Sequence, residues 1–141
     1  MPAELAPKIV IDPGVRVIDP RAPGDLRFTK IIQGKIGFEE AKGWSDLVKA
    51  GIKLAVSKGY PLQELQRRLS INIKTEPSNV DGYRWDAELN LSVQGFDTKK
   101  AADNLYRLAT LLKEELYVRF YWRENDGAAH PGEEGIIRWN P

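Results

Sequence analysis

The sequence predicts an α+β protein: a two-layer sandwich in which two helices cover one face of a mainly antiparallel sheet. Three observations carry that prediction. From Tyr83 to Val93 the odd positions are Tyr83, Trp85, Ala87, Leu89, Leu91 and Val93, and the even positions are polar. That is the period of a strand with one dry and one wet face. Ala101, Leu105, Leu108, Ala109, Leu112 and Leu116 then recur on one stripe of a helix, with Lys99, Lys100, Asp103, Lys113 and Glu114 outside it. Tyr117 to Arg123 alternates again, with Val118, Phe120 and Trp122 on the core side.

The remaining elements follow in chain order. Residues 1–26 hold Pro2, Pro7, Pro13, Pro20 and Pro23 around two β-branched runs, Ile9–Ile11 and Val15–Ile18, each ended by Asp-Pro. They read as a proline-rich arm that packs on the domain or on a partner, with 27–141 forming one α+β domain. Phe28 to Phe38 is a strand with Gly34 and Gly37 as bulge points. Gly43 to Gly59 is helical by the spacing of Trp44, Leu47, Val48, Gly51, Leu54 and Ala55, and Gly51 invites a close approach to the sheet. Tyr60-Pro61 breaks the chain, and Leu62 to Leu69 continues as further helical turns.

Leu69, Ile71 and Ile73 mark a second strand, joined to 83–93 as a hairpin by the turn-rich run Glu76–Gly82. Asp97 or Thr98 caps the next helix. Gly135 to Trp139 forms a last short strand, with Trp139 tying down the chain end beside Ile136 and Ile137. The resulting order, βαββαβ plus an extra C-terminal strand, is that of a ferredoxin-like fold.

Composition excludes several kinds of function. Lys plus Arg number 21 against 20 Asp plus Glu, so the chain lacks the basic excess that phosphate neutralisation demands of a dedicated nucleic-acid binder. Cysteine is absent, which removes disulfides, thiolate nucleophiles and Cys-ligated zinc. No apolar run approaches the roughly 20 residues that span a bilayer, and Met1–Pro7 has no signal-peptide pattern. The expectation is a soluble cytoplasmic protein with no membrane contact and no cofactor. Phosphate-binding loops, the dinucleotide fingerprint and the Gly-x-Ser-x-Gly elbow are all missing.

Three features remain as carriers of function. On the sheet, Tyr117, Arg119, Tyr121 and Arg123 point away from the core, and Arg84, Lys74, Asn72, Asn90 and Gln94 are expected on the same face. Tyr and Arg in alternation suit a protein interface, and they suit base stacking with phosphate pairing in a single-stranded nucleic acid. An antiparallel sheet also needs a solvated face whatever it binds. The second feature, Leu54–Leu69, has helix-turn-helix-like spacing with Arg67-Arg68, but strands on both sides leave no room for a third packing helix. The third is the loop 124–135, where Glu124, Asp126 and His130 are the one grouping available for acid–base or metal chemistry, although a lone His lacks zinc-site spacing.

The reading that results is a non-catalytic interaction module. It binds another protein, or a second copy of itself, through the open sheet face, a sheet edge or the arm, with Tyr117, Arg119, Tyr121, Arg123 and Arg84 as the binding residues. A small hydrolase or metal-dependent enzyme on the 124–134 loop, and a single-stranded nucleic-acid binder on the sheet face, are the alternatives.

Overall fold

The computed structural model describes residues 14–141, in which three helices and two sheets form a mixed α+β fold. In the five-stranded sheet, β1 (Val15–Ile18), β8 (Glu134–Trp139), β7 (Leu116–Trp122), β2 (Thr29–Ile36) and β3 (Glu39–Glu40) lie side by side in that order. The central pairings β8–β7 and β7–β2 are antiparallel, and β1 joins the edge parallel to β8. In the smaller sheet, β6 (Leu91–Gln94) runs between β4 (Ile73–Lys74) and β5 (Tyr83–Asp86), antiparallel to both.

The smaller sheet departs from a ferredoxin-like arrangement, in which all strands would share one sheet. The cause lies in Asp86 and Asn90. The Asp86 carboxylate accepts hydrogen bonds from the amides of Glu88 and Leu89, each at 3.0 Å. Asn90 adopts φ 59°, a left-handed conformation that asparagine tolerates better than most residues. The run 83–93 therefore folds back on itself as β5 and β6, and the strand before it pairs with β6 rather than with β5.

One cluster of buried residues draws on both sheets and on α1 (Trp44–Ser57) and α3 (Thr98–Leu112). Along β7, burial alternates: Leu116, Val118, Phe120 and Trp122 are buried and Tyr117, Arg119 and Tyr121 are half-buried. Gly51 is the point of closest approach, since a Cβ there would lie 2.9 Å from Leu108 Cδ1 and 3.2 Å from Ile36 Cδ1. A side chain at 51 would push α1 off both α3 and β2, so the helix accepts the propensity cost of glycine. Asp97 is the cap of α3, its carboxylate accepting from the Lys100 amide at 2.8 Å. The short α2 (Leu62–Arg68) buries only Leu65.

Residues 14–26 are woven into the domain. β1 pairs with β8, Leu26 is buried in the core, and the Asp25 carbonyl accepts a hydrogen bond from Trp122 Nε1 at 3.1 Å. The first β-branched run, Ile9–Ile11, lies outside the described residues.

Two buried polar side chains bind loops to this frame. Asn104 is inaccessible to solvent and fully bonded: its Oδ1 accepts from the Ser70 amide, and its Nδ2 donates to Ser70 Oγ and the Lys100 carbonyl. Ser92, at an even position expected to be wet, is also fully buried. Its hydroxyl accepts from the Ser78 amide and donates to the Glu76 carbonyl, pinning the 76–82 turn over the smaller sheet. Trp85 is half-buried rather than a core residue, whereas Leu89, Leu91, Phe120 and Trp122 are buried as their phase requires.

Candidate functional site on the outer face of the larger sheet

The contacts of α1 and α3 fall on one set of sheet positions. Leu47 lies against Gly34, Trp44 against Phe120 with ring centroids 5.6 Å apart, and Tyr106 against Trp139 at 6.2 Å. The opposite side chains form three rows across the strands. By register, Val17, Ile136, Arg119 and Gln33 make the middle row. Val15, Glu134, Tyr121 and Lys30 lie on one side of it. Arg138, Tyr117, Lys35 and Glu40 lie on the other.

Sequence and geometry produce this pattern together. The β7 alternation Tyr-x-Arg-x-Tyr comes directly from period 2, and a bulge in β2 between Ile31 and Gln33 adds one residue, Ile32, that is 39% exposed. Val17 is 65% exposed on the adjoining edge strand. Ile136 is nearly inaccessible, yet it does not belong to the main core, so it is covered on the outer face by its neighbours. Long Tyr and Arg side chains can cover an isoleucine in this way.

Both arginines of the face carry carboxylate partners. Arg119 Nε donates to Glu134 Oε1 at 2.7 Å, and Nη2 lies 2.5 Å from the same oxygen. Arg138 Nη2 reaches Glu115 at 3.4 Å, and its Nε is buried without an acceptor. Glu40 is the register partner of Lys35 in the next strand, and Lys30 lies in the opposite row. Arg119, held this closely by a carboxylate, cannot neutralise a phosphate without first losing its partner.

The binding residues expected from sequence are thus only partly brought together. Tyr117, Arg119 and Tyr121 share the outer face. Arg123 lies just past the end of β7, exposed, with its amide donating to the Phe28 carbonyl. Arg84 sits on β5 of the smaller sheet, and Lys74, Asn72, Asn90 and Gln94 belong there as well, because the fold-back at 86–90 removes that segment from the larger sheet. The apolar members Val17, Ile32 and Ile136 were not singled out by sequence. The alternation Glu134-x-Ile136-x-Arg138 is the signal that places Ile136 there.

The loop between β7 and β8 is built as a turn. His130 packs edge-on against Trp122 with centroids 4.8 Å apart, and the amides of Ala128, Gly132 and Glu133 donate to Asn125, Trp122 and His130 carbonyls. No group of three or more His, Asp or Glu side chains among the described residues is placed to hold a metal ion.

Among the depressions elsewhere on the described residues, three gather charged side chains. Clefts of about 510 and 460 Å³ adjoin along the start of α3, sharing Asp97 and Lys99, and are walled by Pro20–Arg27. In the first, Arg27 donates to Asp25 through its side chain and its amide and holds that carboxyl at about 2. A cleft of about 280 Å³ gathers Glu39, Glu40, Asp46, Asp86 and Glu88 around Lys49 and Lys53. Lys53 is raised above its ordinary value, first by its hydrogen bond to Glu88.

The edge of the smaller sheet is closed. The amides of Tyr83 and Trp85 donate to the Val80 carbonyl and Asn79 Oδ1, so β5 offers neither to an incoming strand.

These features define a mixed α+β protein of three helices and two sheets, with no helix among the described residues long and apolar enough to cross a membrane. Compared with known proteins, the chain matches no family model, no curated protein and no solved structure.

Proposed function

We propose that this chain is a non-catalytic interaction module whose contact surface is the outer face of the larger sheet, with α1 and α3 covering the other face as a second layer. The observation that carries this reading is the composition of the face. Tyr117 and Tyr121 flank Arg119 beside the exposed Val17 and Ile32. Tyr and Arg are among the residues most enriched where proteins meet, and arginines that already carry carboxylate partners fit a protein surface better than a polyanion. Soluble cytoplasmic residence accompanies this reading. It assigns no reaction to the chain. His130, the only imidazole, is accounted for by its packing on Trp122.

The test is capture of binding proteins by the wild-type chain and by Tyr117→Ser/Tyr121→Ser, with Lys49→Ser in the acidic cleft as control. Loss of captured protein in the tyrosine variant alone is the expected outcome. Equal capture by all three chains removes the sheet face from consideration.

A further inference from the structure

The outward residues of β7 read the same in both directions, and those of β8 carry opposite charges at their two ends. Along β7 the outward residues read Tyr117, Arg119, Tyr121, and along β8 they read Glu134, Ile136, Arg138. The two centres, Arg119 and Ile136, are register partners, and Val17 of β1 extends the same row. A half-turn about the row Val17–Ile136–Arg119 therefore puts tyrosine opposite tyrosine on β7 and glutamate opposite arginine on β8.

We infer that a second copy of this chain is the partner of this face, related by a two-fold axis running across the strands along that row. The inference rests on the reading of the face as a contact surface and names its occupant. A two-fold in this position sets Glu134 of each copy against Arg138 of the other, and each Tyr121 against the other Tyr117. Val17, 65% exposed, meets its own equivalent on the axis, while Ile136 stays covered beneath its neighbours. Such an interface is isologous, so every favourable pairing occurs twice.

The groups on the face suit this arrangement. Arg138 has only a long own-chain partner, Glu115 at 3.4 Å, and about a third of its side chain is exposed, so its outer end is open to a second carboxylate. Arg119 carries Glu134 as its own counter-ion, so the axis does not bring two bare cations together. Lys30 and Lys35 oppose each other at the rim, where long side chains reach water. Sheets stacked face to face lie about 10 Å apart, a gap that Tyr and Arg side chains fill.

Size sets the strength. Outward residues 117 and 121 are about 14 Å apart, and four strands span about 14 Å, at the usual rise and spacing. With side-chain overhang the contact covers about 400 Å² per copy, below the size of stable complexes. The dimer is consequently weak and dissociates on dilution.

The test uses the full chain. Sedimentation velocity over a concentration series reaching the high micromolar range is expected to show a reversible monomer–dimer equilibrium. Because the chain has no cysteine, V17C carries a single thiol, and a short bis-maleimide is expected to join two chains through it. V80C, on an equally exposed valine beside the smaller sheet, serves as the control and is expected to stay uncrosslinked. R138E is expected to weaken association at least about tenfold, since symmetry repeats its like-charge contact with Glu134. If R138E does not fold, the V17C result stands as the test. A chain monomeric throughout, or V17C and V80C crosslinking equally, overturns the self-pairing. If the chain is monomeric while Tyr117→Ser/Tyr121→Ser still loses capture of a different protein, the occupant is overturned and the contact surface stands.

Discussion

Arg119 and Glu134 meet through a single carboxylate oxygen, Oε1, which accepts from Nε and lies 2.5 Å from Nη2. The pair joins β7 to β8 on the outer face, and about a third of each side chain is exposed. Pairs this open contribute at most about 1 kcal/mol. Glu134→Gln is therefore expected to lower stability by less than about 1 kcal/mol in urea titration. The pair's larger effect is to occupy the central cation of the face, so wild-type protein is expected to show no salt-dependent binding to single-stranded oligonucleotides.

Ser92→Ala breaks two buried hydrogen bonds at once and leaves the Ser78 amide and Glu76 carbonyl without their partner. The expected loss is about 1–3 kcal/mol. Hydrogen exchange should accelerate locally at Ser78, while the amides of β7 change only as global stability does.

Gly51→Val places branched carbons where even a Cβ lies 2.9 Å from Leu108. Overpacking of this kind costs about 1–3 kcal/mol, and it outweighs the gain in helix propensity over glycine of well under 1 kcal/mol. Thermal and chemical denaturation should both report the loss.

Lys113 ends α3 with φ 55° and ψ 46°, a conformation costly to any residue bearing a Cβ. The side chain is exposed, so Lys113→Gly is expected to stabilise the protein by up to about 1 kcal/mol. An unchanged or lower denaturation midpoint would contradict the strained-cap account.

Asp25 is held at about 2 by hydrogen bonds from the Arg27 side chain and then the Arg27 amide. Its folded-state value lies below the unfolded one. The stabilising contribution is therefore present above about pH 4, the ordinary aspartate range, and is lost as pH falls toward the folded value of about 2. Near neutrality the segment is insensitive to pH. Arg27→Ala should move the Asp25 carboxyl titration, followed by NMR, up toward the ordinary aspartate value. Because the Asp25 carbonyl accepts from Trp122 Nε1, the Trp122 indole resonance should respond over the same acid range.

Much of this molecule is legible in its sequence, and what is not has identifiable causes. Period 2 in β7 places Phe120 and Trp122 inside and Tyr117, Arg119 and Tyr121 outside. The α3 stripe and the Asp97 cap are equally direct. The fold-back at 86–90 is hidden because Asp86 and Asn90 occupy strand-parity positions where polar residues are expected, so turn formers do not stand out. That concealment also placed Arg84 with Tyr121, although the two lie in different sheets. Ser92 reads as a wet-face residue because the loop that covers it folds over from 14 positions away. The integration of 14–26 depends on parallel pairing with the far end of the chain, which no local pattern announces.

Hydroxyl-radical footprinting of the tyrosines in cells, compared with dilute purified protein, tests the outer face most directly. Tyr83, on the smaller sheet beneath the Lys74 ammonium, is the internal reference. The account predicts that oxidation of Tyr117 and Tyr121 falls severalfold in cells while Tyr83 is unchanged. Equal oxidation of Tyr117 and Tyr121 in both settings, or protection of Tyr83 instead, would contradict it.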